Sequence, residues 1–102
     1  MKTNELTGAA LDWAVNQIEE CCDDPAPPRF STNWSQGGPI IEREEIALEP
    51  MTHDEHGDGW LATRVEGPAV CMEFGPTPLI AAMRCYVAAC LGDEVDVPEE
   101  LK

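Results

Sequence analysis

Apolar and polar positions follow two different periods along this chain, and each change of period marks a new element. In the first segment Leu11, Ala14, Val15, Ile18 and Cys22 share one face of a repeat of about 3.6 residues, and Asp12, Asn16, Glu19, Glu20 and Asp23 share the other. That spacing predicts a helix from about Gly8 to Glu20. Thr7 takes the capping position, with Leu6 and Leu11 placed to form a hydrophobic staple across it. Asp23-Asp24-Pro25-Ala26-Pro27-Pro28 ends the helix, because proline removes an amide donor and its ring collides with the preceding turn. Ser31-Thr32-Asn33 then offers capping oxygens ahead of Trp34. Gly37-Gly38-Pro39 is an awkward helix interior. The expectation is one loose helix from Trp34 to Glu45, or a turn and then a short helix with Pro39 at its first position. Ile40, Ile41 and Ile46 supply the apolar contact.

The period then drops to two. Ile46 and Leu48 alternate with Ala47 and Glu49, and Thr52 to Gly59 reads as a polar turn. Trp60 to Glu66 predicts a second strand and Val70 to Phe74 a third, with Val70, Met72 and Phe74 on one face. Gly67-Pro68 joins them, and such short connections imply antiparallel pairing. The last helix has the clearest signals: Thr77 as cap, Pro78 at the first helical position and Gly92 at the end. Between Leu79 and Leu91 only Arg84 is charged, and Leu79, Met83, Tyr86, Val87 and Cys90 form a broad apolar stripe. A helix apolar on nearly all sides is either buried or covered by a partner. Full burial is hard in a small chain, so a homodimer through the 77–91 helix is one expectation. The acidic tail, 93–102, alternates Val95 and Val97 and is expected to lie on the sheet edge or to stay mobile. The fold class is α+β: two or three helices packed on a small three-stranded antiparallel sheet, as a single domain over 1–102.

Charge changes the picture more than hydropathy does. The 102 residues carry 20 Asp and Glu against six Lys and Arg, for a net charge of -14 and a pI near 4.1. Direct binding to a nucleic-acid backbone needs a basic footprint, so it is excluded on charge, and anionic membrane surfaces are disfavoured for the same reason. No apolar run approaches the roughly 20 residues of a membrane-spanning helix, and the opening Met1 to Leu6 lacks the apolar region of a secretory signal. Five cysteines, an odd number without a C-x-x-C pair, make neither a disulfide framework nor a zinc site, which fits a cytoplasmic protein. Cys71, Cys85 and Cys90 read as small core residues. Cys21 and Cys22 fall at a helix C-terminus, whose dipole disfavours a thiolate.

Few residues offer chemistry. His53-Asp54-Glu55-His56 has metal-ligand residue types, but the flanking Gly57 and Gly59 make a turn rather than the helix that would align two imidazoles, and it reads as a solvated hairpin tip. Both histidines sit on that turn, so no Cys or Ser nucleophile has an evident base. Gly37-Gly38-Pro39 lacks the lysine of a phosphate loop. No enzyme, cofactor or metal site is therefore expected. Trp13 adjoins the core face of its helix, whereas Trp34 and Trp60 are candidate anchors for a partner. The carboxylates fall in groups, among them Glu42, Glu44, Glu45 and Glu49, followed by Asp54, Glu55 and Asp58. Glu42 and Glu45 fall on one helical face, and Glu49 extends the line. Such a row can imitate the phosphates of a DNA strand and draw a basic groove by fast, salt-sensitive association. The plainer reading is that acidity keeps a small protein soluble.

Three blocks carry a family resemblance: Leu6-Thr7-Gly8-Ala9-Ala10-Leu11-Asp12-Trp13-Ala14-Val15; Ser31-Thr32-Asn33-Trp34-Ser35-Gln36-Gly37-Gly38-Pro39-Ile40-Ile41-Glu42; and Thr77-Pro78-Leu79-Ile80-Ala81-Ala82-Met83-Arg84-Cys85-Tyr86-Val87 running into Gly92-Asp93-Glu94-Val95. Together they resemble the NinX-like phage proteins, a family without an assigned activity. More loosely, the Ser-Thr-Asn cap, the meander and the Thr-Pro-capped helix look like phage α-β-α sandwich domains, which implies helices on a small antiparallel sheet. The chain departs from the pattern expected of relatives between the first helix and Ser31, where it is short and proline-rich, and the loss of a first strand is one expectation. The resemblance carries over no catalytic residues. Two functions follow as expectations. One is a small phage inhibitor that docks as a DNA mimic, of anti-CRISPR or anti-restriction type, on a host nucleic-acid-binding protein or defence complex. The other is a non-enzymatic accessory protein of phage replication or transcription that acts through protein contacts.

Overall fold

The computed structural model describes residues 2–19, 29–53, 57–92, 94–97 and 99. A short 3-10 turn, Thr3–Glu5, precedes α1 (Gly8–Glu19) and α2 (Trp34–Arg43). Strands β1 (Ala47–His53), β2 (Gly57–Glu66) and β3 (Ala69–Gly75) follow, then α3 (Pro78–Leu91). The strands form one antiparallel sheet in the order β1-β2-β3, as the short connections predict. This is the α+β arrangement read from the sequence.

Helix α3 lies on the sheet, mainly over β2 and β3, and α1 and α2 pack against α3 rather than on the strands. The central helix is therefore apolar on most sides because it is covered on most sides as far as Val87. Leu79, Ala81, Ala82, Met83, Cys85, Tyr86 and Val87 are buried within the chain. Of the stripe from which a homodimer through the 77–91 helix was expected, Leu79, Met83, Tyr86 and Val87 are covered within the chain. Cys90 leaves the predicted stripe and is exposed, while Cys85 is buried and Cys71 half-buried.

The caps behave as their residue types dictate. Thr77 Oγ1 accepts from the Ile80 amide at 3.2 Å, Pro78 opens α3, and Gly92 closes it at φ 88°. Asn33 Oδ1 accepts from the Ser35 amide at 2.9 Å and opens α2. Of the two expectations for this segment the continuous helix holds, with Pro39 inside it and its end at Arg43 rather than Glu45. Gly37 is tolerated because nothing larger fits: a Cβ there would meet the Phe30 carbonyl oxygen, and Leu79 Cδ2 at 2.6 Å.

The C-terminus of α2 is a Schellman turn. The Ile46 amide donates to the Ile41 carbonyl at 3.0 Å and the Glu45 amide to the Glu42 carbonyl at 3.3 Å, with Glu45 at φ 55°. That left-handed position usually belongs to glycine. Glu45→Gly is expected to stabilise the domain by roughly 0.5–1 kcal/mol, after glycine's larger unfolded-state entropy is counted. A rise in melting temperature of a few degrees checks it.

The strands are longer than the sequence pattern implies. The run Thr52 to Gly59 is not a broad polar turn, because Thr52 pairs with Asp58 and His53 with Gly57, and the ladder continues to the hairpin end. At the other hairpin Glu66 faces Ala69 across Gly67-Pro68. Gly67 takes φ 60°, and Pro68 cannot adopt a positive φ, which makes this a type II′ connection. Residues 94–97, the continuous described part of the tail, lie against the body of the chain. Val95 and Val97 are buried in the core, Lys2 bridges Glu94, and Thr3 Oγ1 donates to the Gly92 carbonyl at 2.6 Å.

Candidate functional site

Directly opposed residues of an antiparallel pair share a face, so the register sorts the sheet. The inner face carries Leu48, Ala62 and Cys71, with Pro50, Trp60 and Gly75 in line, and Leu48, Trp60 and Cys71 pack against the core. Trp60, one of the partner anchors expected from the sequence, is thus turned inward and half-buried. Trp34, at the start of α2, is 53% exposed and keeps that candidacy. The outer face carries Met51, Leu61, Thr63, Val65, Val70, Met72 and Phe74, with Ala47 and Glu49 toward the β1 edge. The alternation Val70, Met72, Phe74 is real, but it faces away from the helices. Val65, Val70 and Met72 are each more than half exposed.

The described carboxylates Glu42, Glu44, Glu45 and Glu49 do not share one face. Glu42, Glu45 and Glu49 are exposed and have no ion-pair partner among the described residues. Glu42 stands on the last turn of α2, Glu45 beyond its end in the left-handed turn, and Glu49 on the outer face of β1. The expected common helical face of Glu42 and Glu45 is therefore broken where the chain reverses. Glu44 is half-buried and engaged in two ion pairs. Its Oε2 accepts from Arg43 Nε at 3.0 Å and its Oε1 from Arg64 Nη2 at 3.0 Å, and the Arg43 hydrogen bond holds its carboxyl below the usual range. Asp54 and Glu55 lie outside the described residues, as does most of the His53-Asp54-Glu55-His56 run.

Arg43 is the hub of this corner. Beyond Glu44 it reaches Glu19 of α1 at 2.6 Å and the Tyr86 hydroxyl of α3 at 3.1 Å, and its guanidinium lies 5.9 Å from the Tyr86 ring centre. The Glu19 hydrogen bond, first among its partners, keeps it firmly protonated. Arg84 is committed as well. Its Nε donates to the Leu6 carbonyl and its Nη1 to the Phe74 carbonyl, each at 2.8 Å. Burial works against its charge and lowers its pKa.

An open cleft of about 540 Å³ beside β3 is lined by Leu61, Met72, Phe74, Asn4, Glu73 and Arg84 among others. Its guanidinium is held by two backbone carbonyls. Cys85 and Cys71 contact each other's backbone carbonyls at 3.4 and 3.6 Å, and burial pushes the Cys85 thiol up to about 12, far from a thiolate at neutral pH. Among the described residues no group of three or more His, Cys, Asp or Glu is placed to hold a metal ion, and no helix is long and apolar enough to cross a membrane.

Among the described residues the surface features that stand out are the exposed carboxylates around α2 and β1, the exposed Trp34 and the apolar sheet face. The family model for NinX of bacteriophage P22 matches residues 22–89. The chain belongs to this family. It is thus a phage protein, and the match runs from the segment before α2 through most of α3, the part that contains the whole sheet. No curated protein matches it.

Sequence reasoning missed the open sheet face. The signal was present in the alternation of Val70, Met72 and Phe74, but period alone does not say which face the helices cover.

Proposed function

We propose that this NinX-family protein is a non-enzymatic phage inhibitor, which docks on a cationic nucleic-acid-handling protein of the host and blocks it by offering carboxylates in place of phosphates. An anti-CRISPR or anti-restriction role in the cytoplasm of the infected cell is of this kind. The observation that carries the reading is the disposition of charge. Three of the six basic residues, Arg43, Arg64 and Arg84, are spent on contacts inside the chain, whereas Glu42, Glu45 and Glu49 stand exposed. A surface left this acidic steers toward cationic grooves and repels nucleic acid itself. Glu42, Glu45 and Glu49 would supply the steering, and Trp34 the anchor. Glu44 has no part in it, because its charge is already answered.

The triple variant Glu42→Lys, Glu45→Lys and Glu49→Lys is expected to weaken capture of the host target by ten-fold or more and to flatten its salt dependence, with the melting temperature little changed. Undiminished capture by that variant, measured beside the wild type at equal salt, would count against mimicry. The apolar sheet face supports a second reading, an accessory protein of phage replication or transcription that works through protein contacts.

A further inference from the structure

We infer that the open face of the sheet is a self-association surface, and that its occupant is a second copy of this chain packed sheet to sheet. Three cross-strand pairs build the face: Leu61 with Phe74, Thr63 with Met72, and Val65 with Val70. Val65, Val70 and Met72 are 65%, 57% and 55% exposed, and all three helices pack on the opposite side. Contiguous apolar side chains left outside in this way mark a contact surface.

Charge decides between occupants. In a chain of net charge -14, the only charged group among the described side chains of this face is Glu49, at its β1 edge. The exposed carboxylates Glu5, Glu42, Glu45, Glu94 and Asp96 stand on the turns, on α2 and on the C-terminal segment. A cationic partner would find almost nothing to pair with on the sheet. A second copy would meet an uncharged surface like its own, and packing the sheets about 10 Å apart would point both sets of carboxylates outward. Strands about 23 Å long and about 4.8 Å apart make a face smaller than a standard stable interface, so the association is weak and reversible and belongs to the sub-millimolar range. It also carries a signature. The two bodies repel at long range, and salt screens that repulsion without weakening apolar contact, so the dimer strengthens as salt rises. Binding to a cationic target has the opposite dependence, so this inference stands or falls separately from the inhibitor reading.

Sedimentation equilibrium on the intact chain, from about 10 µM to 1 mM protein at low and high sodium chloride, tests it. The expected result is a monomer–dimer equilibrium that shifts toward dimer at high salt. The double variant Val70→Lys and Met72→Lys should weaken it by ten-fold or more, although it lowers the net negative charge and so reduces the long-range repulsion. Circular dichroism confirms that this variant is folded, and the salt dependence of the wild type needs no variant at all. A monomer throughout the range overturns the inference. So does a dimer that salt dissociates, a dimer the folded double variant retains, or one that Leu91→Lys on the exposed end of α3 abolishes instead.

Discussion

Gly75→Ala is expected to destabilise the domain by about 3 kcal/mol, the upper range for overpacking a tight contact. Gly75 ends β3 where the chain turns into α3. A Cβ built there would lie 2.6 Å from the Ala81 nitrogen and 2.9 Å from its Cα. Both neighbours are backbone atoms of the central helix, so neither yields as a flexible side chain would. The helix would have to lift from the sheet along the line where Ala62, Cys71 and Gly75 let it approach closely. Gly67 is the internal control. Its added Cβ would meet nothing within 4 Å, and Gly67→Ala pays only for φ 60°, about 1 kcal/mol. Urea denaturation of the two variants should therefore show a much larger fall in midpoint for Gly75→Ala. Equal losses would mean that the strand end and α3 are not in tight contact.

Arg84→Met is expected to cost about as much, roughly 3 kcal/mol, for a different reason. The Arg84 guanidinium donates to carbonyls of two distant segments, Leu6 at the start of the chain and Phe74 in β3. Methionine fills much of the volume but leaves both acceptors without their donor. Arg84→Lys should recover only part of the loss, because an ammonium on a flexible stem does not span two acceptors as the planar fork does. The loss should also concentrate near the N-terminus, where amide exchange at Leu6 and around the Thr3–Glu5 turn should accelerate more than in β2. Uniform acceleration, or none, would show that Arg84 is not the tie between these segments.

What the sequence revealed depends on how local its causes are. The boundaries of α3 were legible because Thr77, Pro78 and Gly92 act on the groups next to them. The α2 segment was ambiguous because Gly37 is a breaker by propensity and a packing requirement by context, and the context comes from Phe30 and Leu79. The strands were legible in number and pairing, but not in length or in facing. Polar residues from Thr52 to Asp58 do not stop a ladder held by backbone groups. The inner face of β3 uses Cys71 and Gly75, small residues that admit the helix, so its larger aliphatic residues point outward. Among the candidate site residues, the exposure of Glu42, Glu45 and Glu49 could be read from residue type, whereas that of Trp34 runs against its type. The ion pairing of Glu44 could not be read, because Arg64 reaches it from 20 positions away. Nor could the inward turn of Trp60, which depends on the Pro50 and Gly75 positions beside it.

The central claim is that the acidity of this phage protein is an instrument of recognition and not only of solubility. The purified chain, immobilised and exposed to host lysate, should capture a nucleic-acid-binding protein or a defence complex that elutes as salt rises through the range where exposed charges are screened. The eluted target, once identified, should lose its nucleic-acid binding when the chain is added back. Capture of phage replication proteins alone, or of nothing but further copies of the bait, would contradict the account and leave the acidity as a matter of solubility.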